Sequence, residues 1–292
     1  MSTLKQLLEK EIMERRPKLG ISSVKTYLSI LASLYMKMKG TGDINWFSDN
    51  HKSILEYLED KNKQTKKTIL SALFVLTGKE EYRSVMMEVM KSVNDTYKEQ
   101  KKNEKQTENW ISTEDIKAKY DDLLKKTVLM LSSRAITDES VMMEFLLVAF
   151  LGGVNMPPRR SLDYALMKIR NYDTKKDNYY KANKMYFNVY KTDSTYGLQV
   201  LEVPKELNVI LKKWIKMSKN DYMLYSSNGN KLSSPQITRI LNKVFDKKIS
   251  TSMLRHIYLT NAYKDVPALN KMEILAQDMG HSVKTAMEYI KR

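Results

Sequence analysis

The sequence predicts a mainly α-helical protein with one small antiparallel sheet, divided into two domains. Three observations carry that expectation. Apolar residues recur at helical spacing through most of the chain, as in Val24, Tyr27, Leu28, Ile30, Leu31, Leu34 and Tyr35. A single stretch, residues 174–203, switches to the aromatic and β-branched residues that strands favour. Residues 98–109, KEQKKNEKQTEN, contain no apolar side chain, so no core pins them and they read as an extended linker or a solvated helix end. A boundary near residue 105 follows, giving domains 1–105 and 106–292, and 292 residues suffice for two cores.

In the first domain, residues 23–39 form an amphipathic helix with Ser22 or Ser23 as its cap, and helices follow at 50–60, 64–77 and 79–98. In the second, Trp110 and Ile111 restart the apolar pattern, and Ser112-Thr113-Glu114-Asp115 opens a helix over 113–132. Another runs over 138–151, and a short one over 161–168 follows the Pro157-Pro158 break. Strand signals at Tyr179-Tyr180, 185–190 and 196–203, with turn residues at 191–195, make a hairpin or a three-stranded meander. Pro204 starts a helix to about 217, and helices at 234–245, 251–264, 268–278 and 282–290 complete the chain.

Composition narrows the chemistry. Fifty Lys and Arg against 34 Asp and Glu leave a formal charge of +16, compatible with nucleic acid, an acidic membrane face, or solubility alone. The surplus is spread along the chain: residues 1–110 carry 20 basic against 15 acidic side chains, and the remainder 30 against 19. That distribution suits a wrapped polyanion better than an anchoring patch. Zero Cys excludes disulfides, Cys-ligated zinc and thiol catalysis, and three His leave little for a His-based metal site. The longest apolar run, residues 145–154, is too short to span a bilayer. Polar residues follow Met1, so no signal peptide is expected. An intracellular protein with an anionic partner is the expectation.

Only ten of the fifty cations are Arg, the residue that forks onto phosphate, so each Arg is informative. Four constellations in the second domain stand out. Arg159 and Arg160 precede a helix start, with Asp163 one turn after Arg160 and placed to hold it; a surface pair capping a turn is the plainer reading. Lys191 follows the MYFNVY strand on a turn, where a Lys is ordinarily a solvated charge. Ser252-Met253-Leu254-Arg255-His256 puts Arg and His on a helix with one apolar face, suited to an anion or to an acidic side chain. Met279-Gly280-His281-Ser282, with Gly280 as a helix cap, precedes Tyr289 by two turns; alone, such a Tyr is a packing residue.

Together and in this order, the four resemble the motifs of the tyrosine recombinase (phage-type integrase) family: Arg160, Lys191, S-M-L-R-H at 252–256, M-G-H-S at 279–282 and Tyr289. The resemblance covers nearly the whole chain, with the first domain similar to that family's core-binding domain and the second to its catalytic domain. The PPRRSLDY form and the linker running into NWIS look similar to integrases of eukaryotic large DNA viruses, virophages and Polinton-like elements. Two departures stand out. Ser252 occupies the position of the usual His, and a hydroxyl is no base near neutral pH. The His281-to-Tyr289 spacing is one residue shorter than in many bacterial relatives.

The resemblance implies a site-specific recombinase or integrase that cuts and rejoins double-stranded DNA through a 3′-phosphotyrosine, with no metal and no cofactor. Tyr289 would be the nucleophile, Arg160, Arg255 and His281 the transition-state donors, and Lys191 the general acid; Arg159 is the alternative to Arg160. A type IB topoisomerase-like or telomere-resolving enzyme shares that chemistry, and an inactive DNA-binding protein of the same fold is the non-enzymatic alternative. Self-association on DNA as a dimer or tetramer, no membrane partner, and a location at DNA in the nucleus, a viral factory or a virion are also implied. Three residues follow Tyr289, too few for a further docking helix, so a monomer is expected in free solution.

Overall fold

The structure is a computed structural model and describes residues 2–41, 43–133, 139–280, 282–284 and 287. It divides into two compact units, Met1–Lys101 with Pro267–Arg292, and Lys102–Val266. Most of the chain is helical, with one four-stranded sheet.

The first unit begins with α1 (Ser2–Arg15), α2 (Ile21–Lys37), α3 (Trp46–Asp49), α4 (His51–Tyr57), α5 (Lys63–Thr77) and α6 (Glu80–Lys98). Leu8 and Ile12 of α1, Leu31 and Leu34 of α2, and Leu70, Leu73 and Leu76 of α5 close its core at helical spacing. Each such side chain taken fully out of water stabilises by about 1.5–3 kcal/mol. Tyr82 of α6 is buried among them, and its hydroxyl donates to the Phe47 carbonyl over 2.6 Å. Asn62 caps α5 by accepting from the Thr65 amide, and Gly78 ends it at φ +69°. The cap of α2 is Gly20, with no side-chain bond; the helix starts before Ser22 and Ser23, so neither serves as the expected cap.

The second unit comprises α7 (Glu104–Asn109), α8 (Thr113–Ser132), α9 (Glu139–Leu151), α10 (Ser161–Ala165), β1 (Met167–Lys168), β2 (Asn178–Lys181), β3 (Lys184–Phe187), α11 (Asp193–Tyr196), β4 (Gln199–Glu202), α12 (Lys205–Met217), α13 (Ser234–Phe245) and α14 (Thr251–Ala262). Helix α9 is its centre. Residues 145–151 are wholly buried on every face, because α8, α13 and α14 all pack against this helix. The long apolar run is thus a core helix, and among the described residues no helix is long and apolar enough to cross a membrane.

Three local expectations are corrected. Residues 104–109 are neither an extended linker nor the solvated end of a longer helix but a separate short helix: Asn103 and Gln106 exchange side-chain and backbone bonds of 2.9 Å in a capping box. The buried Asn109 then accepts from the Lys248 amide at 2.9 Å, so hydrogen bonds pin this segment where apolar contacts are lacking. The sheet, in order β1-β2-β3-β4, is mixed rather than antiparallel, because β1 pairs with β2 in parallel. The Met167–Lys168 strand lies where the helix over 161–168 was expected to end; its far edge bonds residues 221 and 223 through Ile169 N–H and Met167 C=O. The tight turn of the meander is Ala182-Asn183, both at positive φ (50° and 67°), while β3 and β4 are joined by the longer 188–198 connection containing α11.

Helix α15 (Leu269–Asp278) belongs to the first unit, although the sequence reading keeps 106–292 together. Lys98 pairs with Glu273 at 3.2 Å, and the Leu269 amide donates to Gln100 at 2.9 Å. Gly280 follows at φ +72°, the left-handed conformation of a residue just past a helix end.

Candidate active site

The site region starts where α9 stops. Gly152 and Gly153 let the chain leave the core helix in tight quarters. A Cβ on Gly152 would lie 2.6 Å from the Val148 carbonyl oxygen, and one on Gly153 would lie 2.5 Å from Cδ2 of Tyr258 on α14. Gly153 also sits at φ +76°. The segment entering Pro157-Pro158-Arg159-Arg160 therefore runs against α14 one turn beyond Arg255.

Arg159 is gripped on all sides. Its Nε donates to Asp163 Oδ2 at 2.9 Å and its Nη1 to Gln199 Oε1 at 2.6 Å. The guanidinium carbon lies 4.1 Å from the Phe187 ring centre and 5.0 Å from that of Tyr190. Phe187 in turn meets Tyr164 edge-on, and Tyr164 stacks on Phe150 of α9 at 4.8 Å, so the cation rests on an aromatic column rooted in the core. Only 16% of the Arg159 side chain and 2% of the Asp163 side chain are exposed. Burial pushes the Asp163 carboxyl up, opposed by the Arg159 charge. Burial likewise pushes the Tyr164 phenol up. Asp163 was expected to hold Arg160 from behind. It holds Arg159 instead, four residues before it, while Arg160 occupies the cap position of α10 with extended backbone.

Arg160 is half-buried at the start of α10, and Arg255 is half-buried on α14; among the described residues neither guanidinium has a hydrogen bond or a carboxylate within ion-pair distance. Asp163 feels the Arg160 charge without pairing with it. Lys191 is exposed on the turn after Tyr190, and Ser252 and His256 are exposed on α14. Arg160, Lys191, Ser252 and Arg255 all belong to the second unit. His281 and Tyr289 lie outside the described residues.

Sequence reasoning missed two residues that shape this region. Asn178 of β2 is buried. Its amide donates to the carbonyls of Asp163 (3.0 Å) and Val189 (2.8 Å), and its oxygen accepts from the Val189 amide (2.7 Å). Gln199, the first residue of β4, completes the grip on Arg159. Both stand in strands among residues with which they share no periodic pattern, so nothing local marks them. Among the described residues no group of three or more His, Asp or Glu is placed to hold a metal ion.

No family model and no curated protein matches this chain. Among solved structures it is similar to the "Crystal structure of XerA recombinase", at 15% identity and a TM-score of 0.36, over 96% of this chain and 91% of that one. A likeness of this degree carries no assignment.

Proposed function

We propose that this protein is a DNA strand transferase of the tyrosine recombinase type. The reading rests on the sequence order Arg160, Lys191, Arg255, Gly280-His281 and Tyr289, and one structural observation supports it above the others. Arg160 and Arg255 are two half-buried guanidiniums without an acidic partner among the described residues, in a chain of net charge +16. A half-buried cation left unpaired is costly unless an anion visits it, and a backbone phosphate is the anion whose geometry a guanidinium fork matches.

In the proposed reaction the Tyr289 oxygen attacks the scissile phosphorus, a P–O bond to tyrosine forms, and the P–O5′ bond breaks. The phenol gives its proton to solvent water, and the departing 5′-oxygen gains one from the Lys191 ammonium. Arg160, Arg255 and His281 stabilise the charge gathered on the non-bridging oxygens. The 3′-phosphotyrosine keeps the bond energy, so a 5′-hydroxyl from another strand reverses the step without ATP. Integration or recombination of a mobile or viral element, with assembly on the duplex, is the setting this chemistry suits.

The test is covalent trapping on duplex DNA nicked beside candidate sites. The unmodified chain is expected to form a protein–DNA adduct, and Tyr289→Phe to form none while binding with almost unchanged affinity, since binding rests on many phosphate contacts. An adduct from the Phe variant would move the nucleophile to another tyrosine. No adduct from either protein would leave a DNA-binding protein.

A further inference from the structure

We infer that Arg159 is the positioning residue for Lys191: it clamps the β3–β4 connection to the start of α10 and leaves the phosphate to Arg160. The inference rests on the strand-transfer reading above and assigns separate tasks to two adjacent arginines that the sequence leaves as alternatives.

Arg159 is poorly placed to bind phosphate itself. A guanidinium offers two bidentate edges, Nε with Nη2 and Nη1 with Nη2. Asp163 takes the Nε–H and with it the Nε/Nη2 edge, Gln199 takes one N–H of Nη1, and the Phe187 and Tyr190 rings lie against the group. What those contacts join is the informative part. Phe187 is the last residue of β3, Tyr190 immediately precedes Lys191, and Gln199 opens β4. One side chain on the α10 approach thus touches both the entry and the exit of the 188–198 connection.

The rest of that connection is braced at two further points. Asn178 fixes Val189 through both backbone groups, and the Tyr190 hydroxyl donates to the Gly197 carbonyl at 2.6 Å. Lys191 itself is exposed and has no hydrogen-bond or ion-pair partner among the described residues, so its placement depends on Tyr190, and the Tyr190 ring lies against Arg159. A general acid works only within hydrogen-bond reach of the atom it protonates. Displacing the anchor by an ångström is enough to forfeit that reach.

The experiment uses the full chain and two DNA substrates that differ in one atom, an ordinary phosphodiester and its 5′-bridging phosphorothiolate. A thiolate leaves without a proton, so a misplaced general acid slows only the first. Arg159→Lys keeps the charge beside Asp163 but loses the fork and the ring contacts. It is expected to slow ordinary cleavage about 100-fold and thio cleavage by less than about 3-fold, the pattern of Lys191→Ala. Gln199→Leu leaves the buried Asp163 pair intact, so it guards against loss of folding, and is expected to give the same selectivity at about 10-fold. Hydrogen exchange at residues 188–198 should rise in Gln199→Leu, while α9 keeps its protection. Equal slowing of both substrates by both variants overturns the positioning role while the strand-transfer reading stands. No adduct from the unmodified chain overturns that reading and, with it, the role of Arg159.

Discussion

Substituting Gly153 by Ala tests how tightly the site segment is fitted to α14. Two costs are built into the structure. The φ of +76° places an L-residue in the left-handed region, costing about 1 kcal/mol. The added Cβ would also lie 2.5 Å from Tyr258 Cδ2 and 3.3 and 3.4 Å from Cγ and Cβ, where carbon atoms normally rest at about 3.5–4 Å. The ring cannot swing aside freely, because the contacts extend back to its own Cβ, so the helix or the loop must shift at about 1–3 kcal/mol. The expected loss for Gly153→Ala is about 2–4 kcal/mol in urea unfolding followed by tryptophan fluorescence. The cycle with Tyr258→Ala separates the two terms. Removing the ring should return the overlap cost as a coupling of about 1–3 kcal/mol while the backbone cost remains. A single-variant loss below about 1 kcal/mol, or additivity within about 0.5 kcal/mol, would refute the close packing.

Two further expectations concern the sheet. Ala182→Asn should stabilise the protein by about 0.5 kcal/mol in the same unfolding assay, since Asn accepts the positive φ that Ala182 now adopts in the two-residue turn; a loss would mean the turn is not of this type. Asn178→Ala should cost about 2–4 kcal/mol, because it strands three backbone groups at Asp163 and Val189; a cost below about 1 kcal/mol would mean water replaces the amide.

Much of the fold was legible from residues close together in the chain. Helical spacing located α5, α6, α8, α9, α12, α13 and α14, because one face of each must meet a core. The helix start at Ser112–Asp115, which the structure closes with a capping box, and the cap at Gly280 were readable for the same reason: both ends of each interaction lie within a few residues. The strand-rich stretch was legible as a meander through the alternation of its aromatic and β-branched residues. The motif order that suggests strand-transfer chemistry is likewise a property of the chain alone.

Tertiary structure decided what depended on partners far along the chain. Asp163 lies at compatible spacing from both arginines, and only the meeting of Arg159 with Gln199, 40 residues away, and with the rings of β3 and its exit shows which of them it holds. Strand β1 is two residues long, too short for any period, and exists because its edges meet residues 178–179 and 221–223. Residues 104–109 carry no apolar signal, yet they are pinned by Lys248, well over a hundred residues on. The grouping of α15 with the first unit rests on Lys98 and Gln100 meeting Glu273 and Leu269. Local pattern records which face of an element must be buried, but not which distant element buries it, and the assignment of the two arginines turns on that second fact.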